Sequence, residues 1–412
     1  MRRYPEYKNS GVEWLGEIPS QWNTIKIKFT DKLIMGQSPE SKDVTDFEKG
    51  IPFLQGNAEF TDTHPIPKNW CVSPNKTASK NDILLSVRAP VGEINIADQT
   101  YGIGRGLCAV RAKKNLLKYL YYIFSISKEE LNKVSTGTTF VAITIPNLSN
   151  VIIPKVDTTE QQSIVNFLDY KTNQIDQFIA NRQRQIDLLK EQKAGIINKA
   201  VTKGINPKAK MKPSGIEWLQ EVPISWEVWK MKFLTKIETG NKNTDDAEED
   251  GAYPFYVRSD KVERLSTYSF DGEAILTAGD GVGVAKVYHY ANGKMAIHQR
   301  VYKISNFKNV LGEFLYYYIK DNFEKEVIKL SAKTTVDSLR MPMLANFPVA
   351  YPQSIKEQRE IIKFIKEETS IVDNLISKYQ KQIDLMQEYR TSLISQAVTG
   401  KIDVRDWKAK NN

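Results

Sequence analysis

Apolar residues recur at steps of three, four and seven along two long stretches of the chain, residues 160–202 and 357–399. That spacing predicts two amphipathic helices, each carrying a heptad-like seam that needs a partner. Ile164, Leu168, Ile175, Ile179, Ile186, Leu189, Ile196 and Ala200 form the first seam. A shift of 197 positions places Ile361, Ile365, Val372, Ile376, Ile383, Met386, Leu393 and Ala397 in the same register, with 17 of 43 residues identical and no gap. At about 1.5 Å per residue each helix runs to roughly 60 Å. Asp157 with Glu160, and Ser354 with Glu357, have capping-box spacing behind Pro154 and Pro352. Gly204 and Gly400 stand where a left-handed C-cap costs least. Arg182 and Tyr379 interrupt the seams at one matching position. Each seam could instead lie on its own globular neighbour, but two seams in matched register favour pairing with each other. The sequence alone permits either direction; antiparallel pairing is the arrangement expected, with the globular regions at opposite ends.

Short apolar runs bounded by turn residues predict strands at 82–87 and 273–277. A further strand is expected over 284–290, followed by a hairpin turn at Ala291-Asn292-Gly293. Residues 117–126 and 311–319 share a Leu-Tyr-Tyr run and predict matching helices. A second repeat precedes the long helices: residues 8–22 return as 212–226, an offset of 204, and Lys26, Lys28 and Phe29 return as Lys230, Lys232 and Phe233. Trp14 and Trp218 sit in these leaders as packing anchors. The chain is therefore a tandem duplication of leader, variable region and long helix. The expected fold is α+β: two mixed α/β heads (1–156 and 205–353), joined by two long helices (157–204 and 354–401) pairing as an antiparallel coiled coil with pseudo-twofold character, then a tail (402–412).

Composition narrows the class. Of 412 residues, 41% are hydrophobic and 26% charged, as in globular proteins. No apolar run approaches the ~18 residues of a membrane span. Met1-Arg2-Arg3-Tyr4-Pro5 has no apolar stretch behind it, so no signal peptide is expected. Cys71 and Cys108 alone make no disulfide framework and fit a reducing cytoplasm. With only His64, His289 and His298 beside them, no zinc site is expected. The net charge of +9 suits a polyanionic partner.

Catalytic signatures are absent. Gly279-Asp280-Gly281-Val282-Gly283 and Gly102-Ile103-Gly104-Arg105-Gly106 are glycine-rich but lack the helix and Lys-Ser/Thr of a phosphate loop, and are expected to be tight turns. There is no methyltransferase Asn/Asp-Pro-Pro-aromatic motif, nucleophile elbow or His-Glu-x-x-His. The acidic run from Asp245 to Asp250 is expected to be a solvated loop. What remains is polar chemistry suited to base edges, where arginine pairs with guanine and Asn or Gln with adenine. The candidates in the first region are Gln37, Ser38, Gln55, Asn57, Arg88, Arg105, Thr138 and Thr139. In the second they are Asn241, Asn243, Arg258, Ser259, Lys261, His298, Gln299, Arg300, Thr334 and Thr335. Each is also a residue type that turns and exposed strands use for structure alone.

The order of these parts resembles the specificity subunit of type I restriction–modification systems. Gly11-Val12-Glu13-Trp14-Leu15 with its repeat carries the likeness, as do Glu160-Gln161-Gln162-Ser163-Ile164-Val165 and Glu357-Gln358-Arg359-Glu360-Ile361-Ile362. Within the first head, Gly36-Gln37-Ser38-Pro39, Pro52-Phe53-Leu54-Gln55-Gly56, Val87-Arg88-Ala89-Pro90 and Gly104-Arg105-Gly106 resemble one class of target-recognition domain. The second head, with Phe270-Asp271-Gly272-Glu273, resembles another class. The resemblance implies a subunit without catalysis or cofactor of its own. Two target-recognition domains would each bind half of a split, asymmetric sequence in double-stranded DNA. The paired helices would serve as a ruler and dock two methyltransferase subunits, with endonuclease/translocase subunits completing the complex; S-adenosylmethionine and ATP–Mg would belong to those partners. A coiled-coil scaffold with two protein-binding heads is the rival reading, and it accounts less well for the basic balance and the polar loops.

Overall fold

The computed structural model describes residues 2–133, 135, 142–281, 286–330 and 339–409, of 327–330 the backbone alone. The chain forms two compact units, one built from residues 1–182 and 381–412, the other from 183–380. Each long helix is therefore divided between the units. The first spans Thr158–Lys203 and the second Ile355–Val398.

Within each unit the two helical halves run antiparallel. Arg390 bridges Asp176 at 3.2 Å in the first unit, and Lys193 bridges Asp373 at 2.7 Å in the second. From Asp176 on to Lys193 the partner moves back from Arg390 to Asp373, the opposed sense that antiparallel pairing requires. The seam also enters the head cores. Ile164, Leu168 and Ile175 share one core with Leu393, Ala397 and Val398 and with Tyr119, Leu120 and Ile123 of the helix Leu117–Ile126. Ala200, Val201, Ile361 and Ile365 share the other with Phe314, Leu315 and Tyr318 of Gly312–Leu330. Neighbouring helix and head thus both cover the apolar face.

The helix starts show how tightly. Asp157 Oδ1 accepts the Glu160 N–H (3.0 Å) and Ser354 Oγ that of Glu357 (3.4 Å), as the spacing predicts. The glutamate side chains, expected to reach back to the caps, turn instead to leader aromatics. Tyr4 OH donates to Glu160 Oε1 (2.6 Å), and Trp226 Nε1–H to Glu357 Oε1 (2.9 Å). Next in sequence, Gln161 and Gln358 are fully buried. Gln161 Oε1 takes the Leu116 N–H (2.8 Å) and Gln358 Oε1 the Leu311 N–H (2.7 Å), tying each long helix to the start of the head helix. Their amides donate to the carbonyls of Val156 and of Asn309 and Pro352.

The helix ends close onto the leaders. Gly204 and Gly400 have φ of +74° and +73°, the expected left-handed caps. Lys203 Nζ donates to the carbonyls of Leu219 (3.1 Å) and Glu221 (2.6 Å); Lys401 Nζ donates to those of Leu15 (3.1 Å) and Glu17. The carboxyl end of the chain is thereby stitched to its amino-terminal leader. Trp14 and Trp218 pack half-buried in the leaders, Trp218 stacking on Phe347 with its Nε1–H on Glu326.

The first head carries an antiparallel sheet in the order Ile94–Ile96, Ile83–Ser86, Leu107–Arg111, Lys32–Met35. A second sheet pairs Ile51–Leu54 in parallel with Tyr101–Ile103. The second head has one six-stranded sheet, in the order Lys236–Thr239, Val301–Ser305, Phe270–Ala278, Tyr288–Ile297, Tyr253–Tyr256, Glu263–Leu265. The hairpin expected at Ala291-Asn292-Gly293 is corrected here: these residues lie inside the strand Tyr288–Ile297, opposite Ala274, Glu273 and Gly272. Gly293 (φ +109°) and Gly272 (φ +144°) face each other across the ladder, so the turn-like residues mark a local twist instead of a reversal. Residues 284 and 285 of the strand expected over 284–290 lie outside the described residues.

The two glycine caps differ in what surrounds them. A Cβ at Gly400 would meet Pro19 Cδ at 2.4 Å and Trp22 Cζ3 at 2.9 Å, whereas at Gly204 the nearest atom is Trp226 Cζ2 at 3.5 Å. Gly204→Ala should cost about 1–2 kcal/mol, the left-handed penalty alone. Gly400→Ala should lose about 1–3 kcal/mol more through overpacking. Equal losses in chemical denaturation would contradict this account of the closure.

Candidate nucleic-acid interface

Two strands of each head deliver the candidate residues to one place. In the first head, the strand Lys32–Met35 leads into Gly36-Gln37-Ser38, and Ile51–Leu54 into Gln55-Gly56-Asn57. The Gln37 N–H donates to the Ile103 carbonyl (3.0 Å), Gly104 N–H to Leu54 (2.8 Å) and Val87 N–H to Gly106 (2.9 Å). These bonds gather the two loops and Arg88 around Gly104-Arg105-Gly106. The approach is so close that a Cβ at Gly36 would lie 2.2 Å from the Gly104 carbonyl oxygen, and one at Gly106 2.5 Å from that of Gln55. The glycines are there because backbone meets backbone. Gln55 Nε2–H donates to Ser38 Oγ (3.1 Å), while Arg88 and Arg105 are exposed.

The second head builds the same frame from different residues. Asn241 N–H donates to the Ile297 carbonyl (3.1 Å), His298 N–H to Tyr256 (3.0 Å) and Gly279 N–H to Arg300 (2.8 Å). The parallel pairs match too, Phe53 with Gly102 in one head and Phe255 with Ala296 in the other. Through this shared pattern Gln37 and Asn241 hold equivalent positions, as do Arg105 and Gln299. Arg88 is matched by Asp280.

Asp280, absent from the sequence-derived candidates, organises the second cluster. Its Oδ1 accepts Arg258 Nη1–H at 2.9 Å and its Oδ2 accepts Arg300 Nη1–H at 2.8 Å. Burial opposes ionisation of this carboxyl, but the two guanidinium groups overcome it and hold it below its usual range. His298 is only 4% exposed, and its Nδ1 accepts the Arg300 N–H (3.0 Å). It supports Arg300 from beneath and does not present its ring at the surface. Burial, then the charges of Arg258 and Arg300, keep it from protonating in its ordinary range.

Gln299 Nε2–H donates to Asn243 Oδ1, and Asn243 caps the short turn Thr244–Asp246. Ser259 and Lys261 lie on the adjoining loop, Ser259 Oγ–H donating to the Lys261 carbonyl (3.1 Å) and Lys261 pairing with Glu263. Thr138, Thr139, Thr334 and Thr335 lie outside the described residues. Among the described residues, the Ile143 N–H donates to the Val87 carbonyl (2.9 Å) and the Leu339 N–H to that of Gly279 (2.7 Å). Nothing local in the sequence marks Asp280, because its partners stand 22 and 20 residues away and a Gly-Asp-Gly triplet also suits a bare turn.

Two heads that share a loop frame and differ in the side chains it displays define a protein with two related but non-identical recognition surfaces. The chain belongs to the type I restriction modification DNA specificity domain family, whose model matches residues 19–188 and again 223–385. It is 35% identical over 208 residues to the putative type I restriction enzyme MjaX specificity subunit of Methanocaldococcus jannaschii, a match covering 49% of this chain and 48% of that one. It is 26% identical over 192 residues to the EcoDI specificity subunit of Escherichia coli (47% and 42%). Both of these relatives are thus spanned for about half their length. The MjaVIII specificity subunit of M. jannaschii is 26% identical over 426 residues, covering 94% of this chain and 95% of that one. Among solved structures, a chain from a study of type I R-M assembly and conformational transition aligns with a TM-score of 0.71 at 15% identity, over 93% of this chain and 99% of that one. That likeness concerns the fold. No described helix is long and apolar enough to cross a membrane.

The lowered proton affinity of His298 and Asp280 has a pH signature. Both groups take up protons at higher pH in the unfolded chain than in the folded one. Stability from His298 is fully present above the ordinary histidine value of about 6.5 and is lost as pH falls through it; that from Asp280 is lost further down, below the usual carboxylate range. Thermal unfolding of the unit holding residues 183–380 should weaken with acidification below about pH 6.5, and His298→Gln should remove the earlier part of that loss. Identical pH profiles for variant and wild type would refute the assignment.

Proposed function

We propose that this chain is the DNA-reading subunit of a type I restriction–modification complex, recognising a bipartite, asymmetric target with its two heads and performing no chemistry itself. One observation carries the reading: the same loop frame is built twice, while the equivalent displayed residues differ, Gln37 against Asn241, Arg105 against Gln299 and Arg88 against Asp280. A frame kept constant with its contents changed suits two half-sites of different sequence.

In the major groove all four base pairs present distinct donor and acceptor patterns. Arg88 and Arg105, with Gln37 and Gln55, would read one half. Arg258 and Arg300, with Asn241, Asn243 and Gln299, would read the other. Asp280 engages one Nη1 of each arginine and leaves the remaining N–H donors of both forks for base edges. His298 acts through Arg300. The helix pair sets the distance between half-sites, and its polar side docks two methyltransferase subunits, to which endonuclease/translocase subunits add. The cytoplasm is the compartment in which these partners and the DNA meet.

Co-expression with the methyltransferase subunit, followed by genome-wide mapping of methylated adenines, should yield a motif of two unlike halves and a fixed gap. Asp280→Asn should relax or change only the half read by the second head. If it weakens all sequences alike, its arginines are phosphate contacts and carry no sequence information. A chain with no salt-dependent DNA affinity would instead favour a protein-binding scaffold.

The ruler has a separate test. Seven residues inserted at paired positions in both long helices add about 10 Å, close to three base-pair steps of about 3.4 Å. The gap should lengthen by about that number. An unchanged gap would sink the ruler.

A further inference from the structure

The repeated pair Lys28-Phe29 and Lys232-Phe233 has no part in the reading loops. Phe29 is 58% exposed and Phe233 56% exposed, each with its neighbouring lysine Nζ just over 5 Å from the ring centre. The backbone beneath both is fixed in the same way. Buried Ile27 N–H donates to Val151 (3.0 Å), and buried Met231 N–H to Phe347 (2.9 Å). A second exposed apolar residue stands on the short helix packed alongside, Ile145 on Ile145–Ser149 and Met341 on Met341–Asn346.

Lysines surround both pairs. Lys26, Lys32 and Lys114 are repeated as Lys230, Lys236 and Lys308, all exposed. The Lys114 N–H donates to Thr30 (3.1 Å) and the Lys308 N–H to Leu234 (2.8 Å), which places them equivalently. In the first unit the ring lies in a cleft of about 580 Å³, lined also by Lys32, Lys113, Lys114 and Ile145. Its one acid, Asp31, is buried and occupied by the Lys113 N–H (3.0 Å) and Asn115 Nδ2–H (2.6 Å). Among the described residues, only Lys236 of the repeated lysines is paired with a carboxylate, that of Glu238.

Position separates this patch from the reading surface. Lys32 and Lys236 begin the strands Lys32–Met35 and Lys236–Thr239, which lead into Gln37 and Asn241. At about 3.4 Å per residue the patch is roughly 17 Å from the loops, at the opposite end of the same strand. The lysines and the exposed phenylalanine recur in both heads where the reading residues differ, so one kind of partner suits both. Lysines alone would serve a phosphate backbone. An exposed phenylalanine beside an Ile or Met is instead the anchor of a protein interface, with a charged rim around it.

We propose that this Lys-Phe patch docks an acidic protein surface bearing an apolar notch, one copy on each unit, and that the occupant is the methyltransferase subunit. The assignment of the occupant rests on the proposed function. It adds, to docking on the polar side of the long helices, an anchor on each head at the end of the strand away from the loops.

The test uses the full chain with the methyltransferase subunit of the same system, read by sedimentation velocity. Wild type should bind two copies. Phe29→Asp or Phe233→Asp should each weaken one site by at least about tenfold, leaving one copy bound, and the double variant should retain none. Phe29→Ala with Phe233→Ala, which adds no charge, checks that the loss is not misfolding, with thermal unfolding unchanged. DNA binding by the chain alone should be unaffected. Two copies still bound at wild-type affinity by the double variant would overturn the proposal. So would a loss of DNA affinity with a shallower salt slope, which would make the patch a phosphate contact. If wild type reads its DNA but binds no methyltransferase, the assembly part of the proposed function fails, and this assignment with it.

Discussion

An apolar seam along a helix of 46 residues must be covered from end to end, and in this chain no single partner covers it. The amino-terminal half of the first long helix lies in the core of the first head together with the carboxyl-terminal half of the second helix. Its other half lies with the second head. The same demand explains the closure at Lys401. Once the last turns of the second helix belong to the first head, the chain's final residues must meet its leader. Lys401 does at Leu15 what Lys203 does at Leu219. The first unit of this protein is therefore not a contiguous stretch of sequence.

The candidate loops take no part in that closure. Their positions come from backbone hydrogen bonds and from glycines without which the segments could not approach. Side chains on such a frame can change charge and size at little cost to the core. Hence one frame carries Arg88 in one copy and Asp280 in the other. The second head has used this freedom to build a polar cluster, in which a buried histidine and a shared carboxylate orient two arginines. Orienting an arginine in advance lowers the entropy lost on binding.

How much of this was legible in the sequence follows from the range of the interactions. The seams, the duplication and the glycine caps are periodic or local, and each appears where the spacing puts it. The hairpin at Ala291-Asn292-Gly293 is also a local signal, but a long ladder with Phe270–Ala278 overrides it. Capping-box spacing correctly marks the helix starts, yet Glu160 and Glu357 answer to Tyr4 and Trp226, far away in the chain. Asp280 was illegible for the same reason, and His298 looked like a surface reader because burial cannot be read from a single polar position. The candidate site is correspondingly mixed. The loops were identifiable by residue type, but the order among them is tertiary.

Charge gives the last step. The excess of +9 suggested nucleic acid from composition alone, and part of it lies away from the candidate loops. In the second head the local field of Arg258 and Arg300 is partly cancelled by Asp280. Lysines that lack such a carboxylate, Lys232 and Lys308 among them, lie in the same head at the other end of the strand Lys236–Thr239, beside the exposed ring of Phe233. A field that is strong and featureless steers and holds; one that is locally balanced discriminates, because an arginine with a competing acceptor gains only from a partner of matching geometry. On the proposed reading, separating the two along a single strand lets one head be specific at one end and adhesive at the other, without either property diluting its neighbour.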